Sequence, residues 1–482
     1  MHQRGSVLVG VLWCLALLSL VVIGGLHTAR LDLSLTRHQA DRLQAHYLAL
    51  AGAETAKAIL FHDARERERA RQPYAGALED DPSRFRDVPL GRGRFRVIHG
   101  TDPEDGDRLM YGVRNEESRL NLNTASPEEL SRLRDITPDL VAALVDWRDP
   151  DHQPSDGGAE QDYYLGLQPP TRPRNAPFAS VRELLAVRGF FTEELFGSDR
   201  RANGLPPNEN GDDGEDLPAS PLAIAGWAHR LTTHSGVRNV NEAGEARLNL
   251  GSASESDLSA LPGISTDLAR AIVNHRNQNR FQNIADLLDV RAAPPPGTPS
   301  ASPSPMPNPA ANPRGAPSPG RPSPALPFPT GSAPGGTPTP GPSTPNPTPS
   351  GPPLIDETLL MDIAGDLTTS DQDQLNGVIN VNTAGVEVLA LLPGMTRELA
   401  QATVSYRRSS GAFPNEAALL QVPGITRDIL RQLAPRVVVR AETFRILSEG
   451  FIPSTGVRRR LETIVRVGPQ EVTTLAYRED HL

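Results

Sequence analysis

The chain opens with its longest apolar pattern. From Ser6 to Leu26 there is no charged residue. As a helix those roughly 21 residues span about 31 Å, against a hydrocarbon core of about 30 Å. A secretory signal peptide would have a shorter apolar core and a small-residue cleavage site at its end. This run is longer and no such site closes it, so it reads as a retained membrane span. Beyond Arg30 neither Pro nor Gly occurs until Gly52, and Leu43, Tyr47 and Leu50 recur at helical spacing. The spacing predicts that one helix continues out of the span, over 27–61.

The period then changes from helical to alternating. Arg94 to Ile98 and Leu109 to Val113 read as two strands of a hairpin. Arg436 to Val439, Thr443 to Leu447 and Leu461 to Val467 read as strands near the other end. Strands at both ends imply one sheet with everything between inserted. The expected fold class is α+β: a long N-terminal helix on a small antiparallel sheet (62–118 and 436–482), with a large α-helical insert.

The insert repeats itself. Asn121-Leu122-Asn123-Thr124-Ala125 returns as Asn249-Leu250-Gly251-Ser252-Ala253 and as Asn380-Val381-Asn382-Thr383-Ala384. Each copy leads through a short helix into a turn, Leu133 to Thr137, Leu261 to Ser265 or Leu392 to Thr396, and then into an amphipathic helix. Glycine supplies the positive φ of such turns, and the following Ser or Thr caps the next helix. These are helix-hairpin-helix units, expected at 119–202, 221–291 and 354–435.

Composition sharpens two boundaries. The 47 prolines and 41 glycines among 482 residues are in excess for proline, and the excess lies largely in Ala292 to Pro353. That stretch of Pro, Ser, Thr, Gly and Ala reads as a solvated linker over 292–353. A second, acidic Gly-rich loop is expected over 203–220. Cys14 is the only cysteine, which excludes an intramolecular disulfide and any cysteine zinc site. The net charge of −10 argues against a protein that coats a phosphate backbone. Hairpin turns do suit phosphates, and the Arg270/Arg276/Arg280 run beside the second turn is the strongest local candidate. Asp135 in the first turn opposes that reading. No nucleophile elbow, zincin motif, phosphate loop or dinucleotide fingerprint occurs, so an enzyme is not expected.

One constellation could hold a metal. Asp146-Trp147-Arg148-Asp149-Pro150-Asp151 is followed by a Pro/Gly-rich loop and Glu160-Gln161-Asp162-Tyr163-Tyr164. Calcium takes such oxygen ligands, although the spacing is not that of an EF-hand. The candidate ligands are Asp149, Asp151, Asp156, Glu160 and Asp162; the alternative is a loop whose acids face water.

Taken together these motifs resemble a known family. Arg4-Gly5 before an uncharged span is similar to a type IV prepilin leader (1–5), with the span proper at 6–26. The resemblance implies cleavage between Gly5 and Ser6 by prepilin peptidase and N-methylation of Ser6. Most of that superfamily carries glutamate at the fifth mature position. Here it is Gly10, which resembles the type II secretion system minor pseudopilin K branch, the general secretion pathway protein K family. Leu120 to Ala125, Asp146 to Asp151 and Gly158 to Tyr164 are similar to that family's insert motifs. The middle repeat and the Pro-rich linker depart from its usual pattern. The resemblance implies a single-pass protein of the bacterial inner membrane, its C-terminal domain in the periplasm. It would cap the pseudopilus tip with I- and J-type minor pseudopilins, and would meet the inner-membrane secretion platform. The alternatives are a membrane-anchored hairpin-repeat protein for DNA binding or uptake, and a minor pilin of a type IV pilus.

Overall fold

The computed structural model describes residues 4–101, 108–197, 199, 205, 226–292 and 352–480. The loop expected at 203–220 and most of the linker expected at 292–353 lie outside the described residues, apart from Leu205, Ala292, Pro352 and Pro353.

Helix α1 runs Arg4–Ala70, nine residues past the expected end at Phe61. No helix breaker intervenes before Pro73, and the last turns are held by pairs such as Arg67 Nε to Asp63 Oδ2 at 2.8 Å. Residues 7–40 are exposed throughout, and the apolar part is long enough to cross a membrane. From Asp41 onward one face is buried. Ala45, Leu48, Ala49, Ala53, Ala56 and Leu60 recur at three- and four-residue steps, the stripe a helix needs to lie on a sheet.

That sheet has six antiparallel strands: β1 (Val88–Leu90), β2 (Gly93–Val97), β3 (Arg114–Asn115), β4 (Thr443–Phe451), β5 (Arg458–Val467) and β6 (Val472–Asp480). Their order is β1-β2-β4-β5-β6, and β3 also pairs with β4. The two ends of the chain therefore share one sheet. The register sets Val97 opposite Ser448 and Asn115 opposite Phe444. The helix lies very close to β4: a Cβ on Gly450 would stand 2.1 Å from the Ala45 carbonyl oxygen and 2.5 Å from the Ala49 nitrogen. Tyr74 and Phe444 close the core beneath, with ring centroids 5.3 Å apart.

Three strand expectations are corrected. Arg94 to Ile98 is not paired along its length with Leu109 to Val113, because β2 has β1 on one edge and β4 on the other. The contact between the two segments is the short antiparallel pairing of His99–Gly100 with Leu109–Met110, and Gly112 N–H donating to the Val97 carbonyl at 3.0 Å. Arg436 to Val439 is not a strand of the sheet, since Val437–Val438 pairs with Ile379–Asn380 inside the insert, where Val437, Val438 and Val439 are all buried. Strand β6 was not anticipated, because Val472, Leu475 and Tyr477 are interleaved with polar residues of a half-exposed edge.

Within the insert each repeat closes on itself by a short parallel pairing. Leu120 lies opposite Leu231, Leu248 opposite Leu367, and Ile379 opposite Val437. An arginine of the long helix ties each unit to its opening turn. Arg148 donates to the carbonyls of Leu122 and Ala125, Arg276 to Leu250 and Ala253, and Arg407 to Val381 and Ala384. The three units bury their apolar residues in one continuous core.

The pairing moves an expected boundary. The second unit does not end at Arg291, because its closing strand, Leu367–Thr368, comes after the Pro-rich segment. The segment is an excursion from a hairpin turn. Val187-Arg188-Gly189-Phe190 in the first unit and Val422-Pro423-Gly424-Ile425 in the third each turn in a few residues. In the second unit Val290 and Ile355 hold the matching buried positions, and everything from Arg291 to Leu354 replaces the two middle residues. Its ends meet: Leu354 N–H donates to the Val290 carbonyl at 2.9 Å, and Arg291 bridges Pro353. The third unit accordingly begins near Val378 rather than at Leu354.

Two measurements follow from this geometry. Gly450→Val, which drives methyl groups into the α1 backbone, is expected to cost about 3 kcal/mol in denaturant unfolding of the full chain in detergent; an unchanged midpoint would contradict the contact. Replacing residues 291–354 by Pro-Gly is expected to leave the melting temperature within about 2 °C of the parent, since the segment's ends are already adjacent and loop closure depends weakly on length. A loss of about 10 °C would show that the segment carries part of the fold.

Candidate functional site

The hairpin turns place their glycines inward. A Cβ on Gly189 would stand 2.8 Å from Leu140, one on Gly424 2.8 Å from Leu399, one on Gly263 3.1 Å from Leu359 and one on Gly394 2.9 Å from Gln432. In each unit the two hairpins thus pack against each other's helices. The amide that follows each turn closes the turn itself: Ile264 N–H reaches the Leu261 carbonyl, Met395 that of Leu392 and Ile425 that of Val422. Asp135 takes the glycine place of the first turn with φ 61°. Of the arginine run, Arg276 is committed to the Leu250 and Ala253 carbonyls, while Arg270 lies between Glu255 at 3.8 Å and Asp267 at 3.7 Å. These turns are packing devices, and the geometry gives the phosphate reading no support.

The acidic loop is built differently. The helix Pro138–Arg148, capped by Thr137, ends at Asp149, and Arg148 anchors that end to the Leu122 and Ala125 carbonyls. Trp147 packs edge-on against Tyr164 of the short helix Gln161–Leu165, with centroids 5.0 Å apart. The two helices therefore fix both ends of the intervening loop. Fully buried Asp146 holds its middle, accepting from Ser155 N–H at 3.1–3.2 Å. Gly158 is required there, because its Cβ would fall 1.9 Å from Asp146 Oδ2.

This scaffold brings together three of the five expected ligands. One carboxylate oxygen from each of Asp149, Asp151 and Glu160 lies within 4.8 Å of the other two. Asp156 and Asp162 are exposed and stand outside that group. The calcium set expected from the sequence is thus narrowed by two residues, since the loop turns Asp156 outward at its Gly157-Gly158 bend and Asp162 lies on the open face of its helix.

A residue the sequence did not flag joins the three. Asn175 Nδ2 donates to the Asp151 carbonyl, to Glu160 Oε2 at 3.3 Å and toward His152 Nδ1 at 2.9 Å. It comes from a Pro-rich loop with no periodic signal, and only its φ of 43° marks it as specially placed.

The electrostatics of the cluster are unfavourable as it stands. Asp149 Oδ1, Glu160 Oε1 and Asn175 Oδ1 are buried and have no hydrogen-bond partner among the described residues. Burial, and then the charges of Asp151 and Asp146, pushes the Asp149 carboxyl up. Burial pushes Glu160 up, reinforced by Asp149 and Asp146 and opposed by the Asn175 hydrogen bond. Oxygens of this kind, unmet by any described residue and set among crowded carboxylates, are the type of donor that hard cations take.

The processing positions expected from the leader, Gly5 and Ser6, fall in the first turn of α1.

Residues 118–196, the first unit with its acidic loop, match the family described as type II secretion system (T2SS), protein K; residues 244–295 and 375–438 match the helix-hairpin-helix motif. The chain is 32% identical over 199 residues to type II secretion system protein K of Pectobacterium carotovorum subsp. carotovorum, covering 39% of this chain and 58% of that protein. It is 28% identical over 204 residues to the protein of the same name in Pseudomonas aeruginosa, covering 39% and 57%. The aligned region thus spans less than two thirds of the length of these curated relatives. A chain of the crystal structure of the GspK-GspI-GspJ complex from the enterotoxigenic Escherichia coli type 2 secretion system aligns over 93% of this chain and 99% of its own length. Its TM-score is 0.40 at 12% identity, too loose a superposition to carry an argument. The resemblance seen in the acidic loop thus holds for the domain at 118–196, which is similar to type II secretion system protein K.

Proposed function

We propose that the chain is a minor pseudopilin of the type II protein secretion system that caps the pseudopilus tip and initiates or limits its assembly. The observation that carries this reading is the protein K domain set as an insert into a sheet that rests on one long, partly apolar helix. Helices of that length pack side by side in a filament, and the apolar face left exposed before Asp41 is the surface such packing would cover. The three-unit insert is too bulky to repeat at every subunit of such a filament, but fits at its end. Gly10 in place of a glutamate removes a contact to a subunit ahead, which a tip position does not need.

On this reading the partners are I- and J-type minor pseudopilins, prepilin peptidase and the inner-membrane platform. The chain is a non-enzymatic component with its globular part in the periplasm. Gly5→Ala is expected to leave a slower-migrating, uncleaved form on gels and to abolish secretion. Normal processing and secretion in that variant would sink the proposal.

We propose further that Asp149, Asp151 and Glu160 hold a structural calcium ion, with Asn175 at its edge. When bound, the ion supplies positive charge that offsets the mutual repulsion of the carboxylates and satisfies their orphaned oxygens. At calcium a hundredfold above its Kd the linkage is worth about 2.7 kcal/mol. A chelator is therefore expected to lower the melting temperature by several degrees. Asp149→Asn should erase the difference, and identical melting with and without chelator would refute the site.

The pH dependence has a definite sign. Protons compete with the ion at carboxyls whose folded pKa is raised, so the calcium effect should shrink as pH falls toward those values. In chelator the same groups act in reverse: the folded state holds their protons more tightly than the unfolded chain, a contribution present at low pH and lost as pH rises through the raised pKa.

A further inference from the structure

Where the first unit meets the sheet, the chain encloses a cavity of about 360 Å³. One wall is apolar, formed by Ile98, Leu447, Ile464 and Ala476 from the sheet and Phe196 and Ala228 from the insert. The rest is dominated by cations, with Arg114, Arg119, Arg182, Arg445 and Arg478 set against Glu462 and Asp199.

Some of that charge is internally matched. Arg445 Nε lies 2.9 Å from Glu116 Oε1 and its Nη1 lies 2.8 Å from Glu462 Oε1; Arg478 reaches Glu462 Oε2 at 3.0 Å. Among the lining residues, Arg119 and His229 each retain a buried polar atom that no described residue meets. Arg119 is only 5% exposed, and its single carboxylate contact is Nη1 to Glu116 at 3.4 Å, with Nε unpartnered. His229 is 8% exposed and its Nδ1 has no partner.

The histidines of the cavity report its field. Burial, then Arg114, Arg119 and Arg230, holds His229 down to about 3. Burial, then Arg114, and more weakly Arg119, holds His99 down to about 4 against its backbone hydrogen bonds. Neutral imidazole at His229 can carry its proton on Nδ1 and donate it. The cavity is thus lined by residues that carry buried, unmet nitrogen groups, in a positive field beside an apolar wall. A hydrated inorganic anion matches only the first of these, because the apolar wall would have to strip its water without offering anything in return.

We propose that this cavity binds a small organic carboxylate, its oxygens accepting from Arg119 Nε–H and His229 Nδ1–H and its apolar body lying against Ile98, Leu447 and Phe196. The site stands apart from the acidic loop and does not depend on the secretion reading. Because it bridges the sheet and the first unit, a bound ligand stiffens their junction.

The test uses the full chain in detergent and 3-phenylpropanoate as probe, with phosphate and chloride at matched ionic strength. At about 10 mM the probe is expected to raise the melting temperature by about 3 °C or more, with no rise in phosphate or chloride. Arg119→Gln should abolish the shift. Should that variant fail to fold, Ser180→Trp serves: Ser180 is exposed, lines the cavity and makes no capping hydrogen bond through its side chain. The indole would narrow the cavity without breaking a bond, and the shift is expected to vanish. No shift in the parent chain, an equal shift in Ser180→Trp, or an equal shift with phosphate would each overturn the proposal.

Discussion

Everything in this molecule depends on the insert returning to the place it left. The chain leaves the sheet at Asn115 and re-enters at Thr443, and the register sets Asn115 directly opposite Phe444. Two buried carboxylates seal that doorway. Glu116 takes Arg445 at 2.9 Å and Arg119 at 3.4 Å. Burial opposes its charge, but these arginines outweigh it and hold its pKa down to about 2. Glu117 accepts from Gly236 N–H at 3.0 Å and from Thr443 N–H at 3.2 Å, and burial pushes it up to about 8. One is a charged clamp. The other satisfies backbone amides from the second unit and the sheet.

A second seam runs from the end of α1. Glu68 accepts from Arg238 at 2.7 Å and meets Arg440 at 3.3 Å, and both arginines reach Glu442 at 3.0–3.2 Å. Residues far apart in sequence thus form one network, buried at Arg440 and Glu442 and half-buried at Glu68 and Arg238, joining the helix, the second unit and the strand that leads back into the sheet. Breaking one partner of such a network leaves the others charged and dry, which costs far more than a surface pair.

The pairing within each repeat explains how the chain can carry a middle repeat and a Pro-rich segment. A unit closed by its own parallel strand pair and its own arginine can be added as a module, and an excursion from a hairpin turn leaves that closure intact. The acidic loop is an excursion of the same kind, from the end of the first unit's long helix. Trp147 and Tyr164 fix its ends and Asp146 its middle, so its carboxylates converge.

Much of this was legible in the chain alone, for local reasons. The uncharged run at 6–26, the three Asn-x-x-Thr/Ser-Ala signatures and the Gly or Asp at each turn depend on spacing and backbone preference, which sequence states directly. So does the concentration of acids at 146–162. The tertiary structure alone decided which acids meet: Asp149, Asp151 and Glu160 converge, with Asn175 from a separate loop, because convergence is set by packing of Trp147 on Tyr164 and not by spacing. It also decided that Arg276 holds a turn instead of facing solvent, that Val437 and Val438 close a repeat instead of extending the sheet, and that the Pro-rich segment lies within the second unit. Each of these turns on a partner more than a dozen residues away, and pairing at that range is fixed by burial and register, which one strand's own residues do not specify.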